Sequence, residues 1–438
     1  MRTFIQIWVG QLVSTIGSFM TVFALIFWVW NETGSATSLA LVTFFSQVPR
    51  IIVTPLAGIV VDRFPRKQLI ILGDVVAMLC TVLIGLLFLN DSLKIWHLYG
   101  IVALYGSFGQ LQTLAYSTSI ALLVPKEDYT RAESMVASVN YSGAIFSPIL
   151  AGSLYPLIGL RGIIGIDLST FLVAFALLLA VKIPTAPKQK TNENSRDEIN
   201  NTQVSWQNLT FGFRYIFARP GFVALVMAFS FFALPSDIGK ALYNPMILAR
   251  SGGNEQVLGI VTTAAGIGGV IGALFLSWQG GFKRRINGLL LGFAGTAACK
   301  IVLGLGQSLE VWVIAHFLAT LLIPLYYSSS NAIWYAKIPP ALQGRVLAAD
   351  QMIGLIIGSL APLVAGPLAD YVFEPAMQAD GVLAPWFGTI FGTGTGSGMA
   401  LLYTSMAVIM LAIGLGGYCF PTLRDVEEIL PDQDSIQT

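Results

Sequence analysis

Five ionisable side chains stand inside long apolar runs: Arg50, Asp74, Asp167, Lys300 and His316. A charge in hydrocarbon is costly, so each is a candidate for binding or carrying a charge. The runs also hold isolated polar groups, among them Gln11, Ser14, Gln110, Gln112, Asn140, Tyr326, Tyr327 and Asn331. Aromatic walls with a few polar groups suit an amphipathic ligand in a cavity, and helix packing explains the same residues equally well. Nothing supports catalysis. No Cys/His pair has metal-ligand spacing, no Gly-rich loop with a Lys offers to cradle a nucleotide, and no paired carboxylates flank a nucleophile. The expectation is no enzyme, no cofactor and no metal.

Such residues need elements that cross a bilayer to position them. Of 438 residues, 55% are hydrophobic and only 11% charged, under half the charge of a typical soluble chain, about 25%. The apolar runs reach about 20 residues or more, enough to cross a hydrocarbon core about 30 Å thick as helices. The net charge of +1 gives no reason to expect nucleic acid as a partner. Cys80, Cys299 and Cys419 fall inside apolar runs without paired spacing, which argues against a disulfide or metal role. The first run, Phe4 to Trp30, is too long for a signal peptide and lacks a small-residue cleavage site, so it counts as a span. The chain reads as an all-α integral membrane protein. Twelve transmembrane helices are expected near 4–30, 38–61, 69–89, 97–123, 134–158, 163–182, 216–236, 257–279, 287–307, 310–336, 346–372 and 398–420.

Charge distribution orients these spans. With the N-terminus inside, eighteen of the 24 Lys and Arg residues fall on inside segments and four on outside loops (Lys94, Arg161, Lys240, Arg250). Both termini are therefore expected in the cytoplasm, in a multi-pass protein of the plasma (inner) membrane. A polar stretch, 185–214, divides the chain into an N-terminal half (1–184) and a C-terminal half (215–438) with an outer loop at 373–397. Residues Trp206 to Arg219 fit either an interfacial helix or, preferably, a direct run into the seventh span. The halves repeat: Pro125, Arg131, Pro148 and Gly152 recur as Pro339, Arg345, Pro362 and Gly366 at a constant offset of 214. Such agreement points to two six-helix pseudo-repeat bundles arising by duplication.

A short basic turn joins the second and third spans: Gly58, Asp62, Arg63, Pro65, Arg66 and Lys67. With the twelve spans, the repeat and the central loop, this turn resembles the signature Gly-x-x-x-Asp-Arg-x-Gly-Arg-Arg/Lys of the major facilitator superfamily, with Pro65 at the usual Gly. The resemblance implies the fold of that family and a conformational latch at Asp62, which would face neighbouring arginines or the N-terminus of a helix in the other half. A degraded copy, Gly281-Phe-Lys-Arg-Arg285, keeps the basic turn and loses the acid. The fifth span carries Gly143, Ser147, Pro148, Ala151 and Gly152, similar to the Gly-Pro-x-x-Gly-Gly motif of the superfamily's exporters, and small residues there suit close packing on the eighth span. Trp8, Gln11, Ser14 and Gly17, with Gly73-Asp74 and Asp167-x-Ser169, resemble the macrolide-efflux and enterobactin-exporter branch.

The resemblance implies secondary active export of a bulky amphipathic compound such as a drug, secondary metabolite or siderophore. Small-molecule substrate, protons as coupling ion and lipid bilayer are the expected partners. Arg50 would border the cavity of that fold, meeting an anionic substrate group or a buried acid. Asp74 and Asp167 are candidate proton carriers on spans that are peripheral in the family. Asp74 is expected to pair with the basic loop, and Asp167 to lie near the outer end of its helix. Lys300 is expected to reach the outer interface. The arginine that many proton-coupled relatives carry in the fourth span is missing, with Gln110 and Gln112 there instead. A lipid or lysolipid flippase of the same fold, and a transport-silent sensor or accessory protein, remain open.

Overall fold

The computed structural model describes residues 2–125, 128–180 and 206–430 and has no β-strand among them. Hydrocarbon leaves the backbone no partner but itself, and helices supply one within each segment. In chain order they are α1 (Arg2–Thr33), α2 (Ala36–Arg63), α3 (Arg66–Leu89), α4 (Ile95–Leu123), α5 (Tyr129–Ala180), α6 (Trp206–Phe217), α7 (Pro220–Arg250), α8 (Glu255–Gln279), α9 (Arg285–Leu305), α10 (Leu309–Leu321), α11 (Ile323–Lys337), α12 (Pro340–Leu368), α13 (Ala384–Phe391) and α14 (Ser397–Gly416).

Ten apolar helical stretches among the described residues are long enough to cross a membrane. One of them, Ser134–Leu179, has 46 residues, about twice what one crossing needs. Gly159 breaks it with φ 63° and ψ −172°, so α5 consists of two arms, 129–158 and 160–180. The 29-residue α4, also long enough to cross, lies between α3 and α5. Leu309–Lys337 is one crossing made of α10 and α11, interrupted at Leu322 ahead of Pro324. Among the described residues these elements are consistent with the twelve expected spans. The basic turn is tight: the Phe64 amide still bonds the Val60 carbonyl (3.1 Å), and Pro65 precedes α3 with φ −58°. That angle is natural for proline, so the glycine usual in the family is not required here.

Three apolar cores define the shape. One joins both halves, with Phe23, Phe27, Trp28 and Leu39 meeting Leu242, Met246, Leu401 and Leu402. The other two stay within single halves: Phe4, Ile7, Ile70 and Leu178 in the first, Phe222, Phe293, Trp334 and Ile338 in the second. The shared core lies at the end of the α1–α2 and α7–α8 connections; the separate cores lie at the end of the basic turns. The halves are thus closed at one end and have no common core at the other.

The duplicated residues make the closed end. A Cβ on Gly152 would sit 2.7 Å from the Glu255 carbonyl oxygen, and one on Gly259 would sit 2.6 Å from that of Pro148. The counterpart on α12, Gly366, approaches α2 equally closely, 2.5 Å from such a Cβ to Thr37 Cα. Small residues permit these backbone contacts where larger ones would not.

Two expectations need correction. The seventh crossing runs to Arg250, not to 236, because the apolar pattern resumes in Leu242, Met246, Ile247 and Leu248, all fully buried. Lys240 and Arg250 therefore belong to a helix instead of an outer loop. Residues 185–205 lie outside the described residues, whereas 206–217 form α6, a separate helix and not a direct run into the seventh span. Arg345 lies over the Phe211 ring (5.7 Å), Gly212 meets the Arg345 carbonyl, and Ile216 is buried. Packing of this apolar face on α12 outweighs continuation into α7, and Pro220 starts the next helix.

The degraded basic turn finds its acids at the chain's end. Arg284 pairs with Asp425 (3.0 Å) and Glu428 (2.8 Å), and Glu427 accepts from the Ile286 amide (3.0 Å). Buried Lys337 donates to the carbonyls of Glu427 and Leu430. Lys337→Met removes charged hydrogen bonds that typically contribute about 1.5–3 kcal/mol. A spin label at Ile429 should then gain mobility; unchanged spectra would show that packing alone holds the segment. Bonding to Arg424, then the nearby Arg284, holds the Asp425 carboxyl below the usual range. Its contribution is therefore present above the unfolded value of about 3.9 and is lost as pH falls through the lower folded value. The same label should stay immobile from about pH 8 down to about pH 5.

Candidate functional site

α1, α2, α3, α4 and both arms of α5 enclose a cavity of about 410 Å³ within the N-terminal half. Its lining includes Gln11, Ser14, Arg50, Asp74, Gln110 and Asp167, together with Tyr105 and Phe171. Residues from six helical segments, up to 160 positions apart in sequence, thus meet in one space.

Both acids are deeply buried. Asp167 is 3% exposed and accepts from Ser18 Oγ (3.0 Å), Thr21 Oγ1 (2.8 Å) and Thr81 Oγ1 (3.1 Å). It is not at an easily solvated outer end. The break at Gly159 sets the second arm of α5 against α1, where Gly17 lies beside the Asp167 backbone and the hydroxyls of α1 and α3 converge. Asp74, 5% exposed, accepts from Gln112 Nε2 and from Gln11 Nε2 (3.4 Å). Among the described residues its expected pairing with the basic loop does not form: Arg66 turns to the Thr118 carbonyl, and Lys67 donates to that of Leu179 (3.4 Å). Among the described residues neither carboxylate forms an ion pair. Five neutral donors take the place of cations, leaving two carboxyls that can hold or release a proton without breaking a salt bridge.

Arg50 shares the cavity. Its Nη1 donates to Gln47 Oε1 over 3.4 Å, and its buried Nε has no hydrogen-bond partner. Arg50 lines the polar cavity, and a guanidinium there is suited to a carboxylate or phosphate group. Tyr326, Tyr327 and Asn331 do not line this space. Tyr326 is 6% exposed and packs edge-on against Phe232 (5.5 Å) and Phe293 (5.2 Å); Tyr327 and Asn331 are exposed. The side chains of Asp62, Arg63 and Asn140 and the surroundings of Gly58 lie outside the described residues.

The exporter-like residues divide their work. Ser147 Oγ donates to the Ile16 carbonyl (2.9 Å) and Gly143 lies against Thr15 and Phe19, so these two hold α5 on α1. Pro148 and Gly152 face α8 instead, where Thr263 Oγ1 donates to the Ile145 carbonyl (3.0 Å).

In the C-terminal half, Lys300 does not reach outward: its Nζ donates to Ser236 Oγ on α7 (3.0 Å). His316 stands against Tyr243 (4.4 Å between ring centroids), with Nδ1 buried and unpaired. Asp237 and Asp350 escaped the sequence reading. Both are partly buried within crossings. The continuing apolar pattern of α7 beyond residue 240 was the signal that would have drawn Asp237 into the membrane.

Removing the charge of Asp167 leaves an amide to satisfy three hydroxyls. Asp167→Asn should cost about 1–3 kcal/mol, seen as a lower Tm in detergent. Gln11→Leu should cost less, since its bond to Asp74 is long. Equal melting of Asp167→Asn and the parent would mean that the network adds no stability.

A family profile described as "Major Facilitator Superfamily" matches residues 7–362. Macrolide efflux protein A of Streptococcus pyogenes is 24% identical over 82% of this chain and 88% of its own length. An enterobactin exporter of Salmonella typhimurium is 23% identical over 58% of each chain. In fold, the chain is similar to a bacterial homologue of the human lysosomal transporter Spinster, crystallised inward-facing and unoccupied, with a TM-score of 0.67 at 16% identity, covering 98% of this chain and 95% of that one.

Proposed function

We propose, from the premise that this chain belongs to the Major Facilitator Superfamily, that it exports a bulky amphipathic organic compound in exchange for protons. It is a transporter and not an enzyme, a multi-pass membrane protein whose relatives include efflux pumps. The observation that carries the proposal is the pair of buried carboxyls, Asp74 and Asp167, in one polar cavity with Arg50 and no cation bound to either among the described residues. Protonation neutralises such a group at no loss of an ion pair, which suits an acid that must load and unload each cycle.

The two halves act as two bodies, with α6 carried by the second half through its packing on α12. Export follows if they rock about the small-residue contacts between α5 and α8 and between α2 and α12. The protein sits in the plasma membrane with both termini in the cytoplasm, so the closed end faces outward. Compound enters from the cytoplasmic side, meets Arg50 or the neutral groups Gln11, Ser14 and Gln110, and leaves when the closed end parts. Asp62, with Arg63, Arg66 and Lys67, latches the cytoplasmic end in the opposite state. Moving one charge through 100 mV releases about 2.3 kcal/mol, and a tenfold proton gradient adds about 1.4.

Acid-loaded inverted vesicles with a pH-sensitive dye test this directly. Macrolides, siderophores, peptides and lysolipids are added in turn, and one class should release protons. Asp74→Asn or Asp167→Asn should reduce that release at least about tenfold while labelled compound still binds. Proton release equal to the parent in both variants would remove these acids from the coupling path. Movement of a labelled lysolipid without protons would favour the flippase. A second expectation concerns Arg50→Gln, which should raise KM for acidic compounds about tenfold and leave neutral ones nearly unchanged. Equal effects on both classes would assign Arg50 to structure alone.

A further inference from the structure

At the closed end α12 widens into a π-helical turn, Ala369–Phe373, which carries Asp370. The Asp370 carboxylate accepts three hydrogen bonds from the opposite half: Ser35 Oγ at 2.6 Å, the Ala36 amide at 3.1 Å and the Thr37 amide at 2.8 Å. These amides open α2 and have no carbonyl partner within the helix. A carboxylate there meets both the free donors and the positive end of the helix dipole. Ser35 also caps α2 through the Ser38 amide (3.2 Å), so one hydroxyl links the helix end to the acid of the other half. One turn before Asp370, Gly366 brings the two backbones into contact.

The duplicated contact lacks this feature. At the offset of 214, Gly366 corresponds to Gly152 and Asp370 to Pro156, which has no carboxylate. The helix facing Gly152 is α8, and its N-terminus is capped from its own chain by Asn254, whose Oδ1 accepts from the Val257 amide (3.1 Å). Of two contacts with one architecture, the α2–α12 contact alone is fastened by a charge crossing between halves among the described residues.

We propose that Asp370 is the gate residue of the closed end, a positioning residue for transport that acts through α2 and touches no substrate. This rests on the alternating-access reading above. Parting that end strips the carboxylate of three donors at once and returns four groups to water or lipid headgroups. The bond set therefore fixes the ratio of the two states, and with it the rate at which compound is released. Because the carboxylate reads helix donors and not a side-chain cation, its length and charge both matter.

The test measures distance, with neither substrate nor proton flux involved. Lys94→Cys and Ser308→Cys place spin labels on exposed, repeat-related positions of the two halves at the closed end, with Cys80, Cys299 and Cys419 replaced. Pulsed EPR in lipid nanodiscs should give a dominant short distance for the parent. Asp370→Asn should raise the ratio of long to short distances about tenfold. Asp370→Glu, which keeps the charge, should restore most of the short population, and Ser35→Ala, which removes one donor of three, should fall between. An unchanged distribution in Asp370→Asn overturns the proposal. Should that variant fail to insert, an unchanged distribution in Ser35→Ala overturns it equally. Lost flux with unchanged distances would reject the gate and leave export standing; shifted distances with no compound carried by the parent would reject export and leave the gate standing.

Discussion

The halves of this molecule meet through backbone. At Gly152 against the Glu255 carbonyl, and at Gly366 against Thr37, no room is left for a side chain. Lipid offers apolar side chains no reason to prefer one another over acyl tails, so helices associate in a membrane where close packing and hydrogen bonds allow it. From those two contacts the remainder follows. They draw Phe27, Trp28, Leu242 and Met246 into one core, and they leave Ile70 and Phe293 in separate cores at the opposite end.

The two halves handle charge differently although they share an ancestry in sequence. The first half keeps its acids among hydroxyls and amides, with Asp167 held by Ser18, Thr21 and Thr81. The second half places Lys300 on Ser236 and leaves Asp237 and Asp350 only partly buried. A duplication that preserved the packing positions, Pro148 with Pro362 and Gly152 with Gly366, did not preserve the polar ones. Packing constrains both copies alike, since each must approach the other; the chemistry needs only one of them.

Much of the architecture was legible from the chain alone. The spans, the basic turn and the repeat rest on composition and local spacing, which hydrocarbon makes decisive. Gln11, Ser14, Arg50, Gln110, Asp74 and Asp167 were all singled out as polar residues in apolar runs, and they line one cavity. Their partners were not legible. Asp74 lies near arginines in sequence, yet helical geometry turns it toward Gln112 on α4, and nothing in spacing reveals which face of a helix a neighbour will cover. Tyr326 had the same composition signal as Gln110 and is packed among phenylalanines instead. Asp237 was hidden by an end assigned to span 7 too early, at the polar cluster Ser236 to Lys240. Asp370 carried no signal at all, because its partners are one hydroxyl and two amides 333 to 335 positions away.

The shared core has a consequence for anyone who engineers this protein. Under the proposed rocking cycle, one conformer separates Phe27 and Trp28 from Leu242 and Met246, so the two conformers have to lie within a few kcal/mol of each other. That apolar seam must therefore hold no more tightly than such a balance allows. Directed evolution for heat resistance would find its easiest gains along this seam, by repacking aliphatic chains around Leu401. The survivors of such a screen would be durable and arrested, ideal for crystallisation and unable to complete a transport cycle.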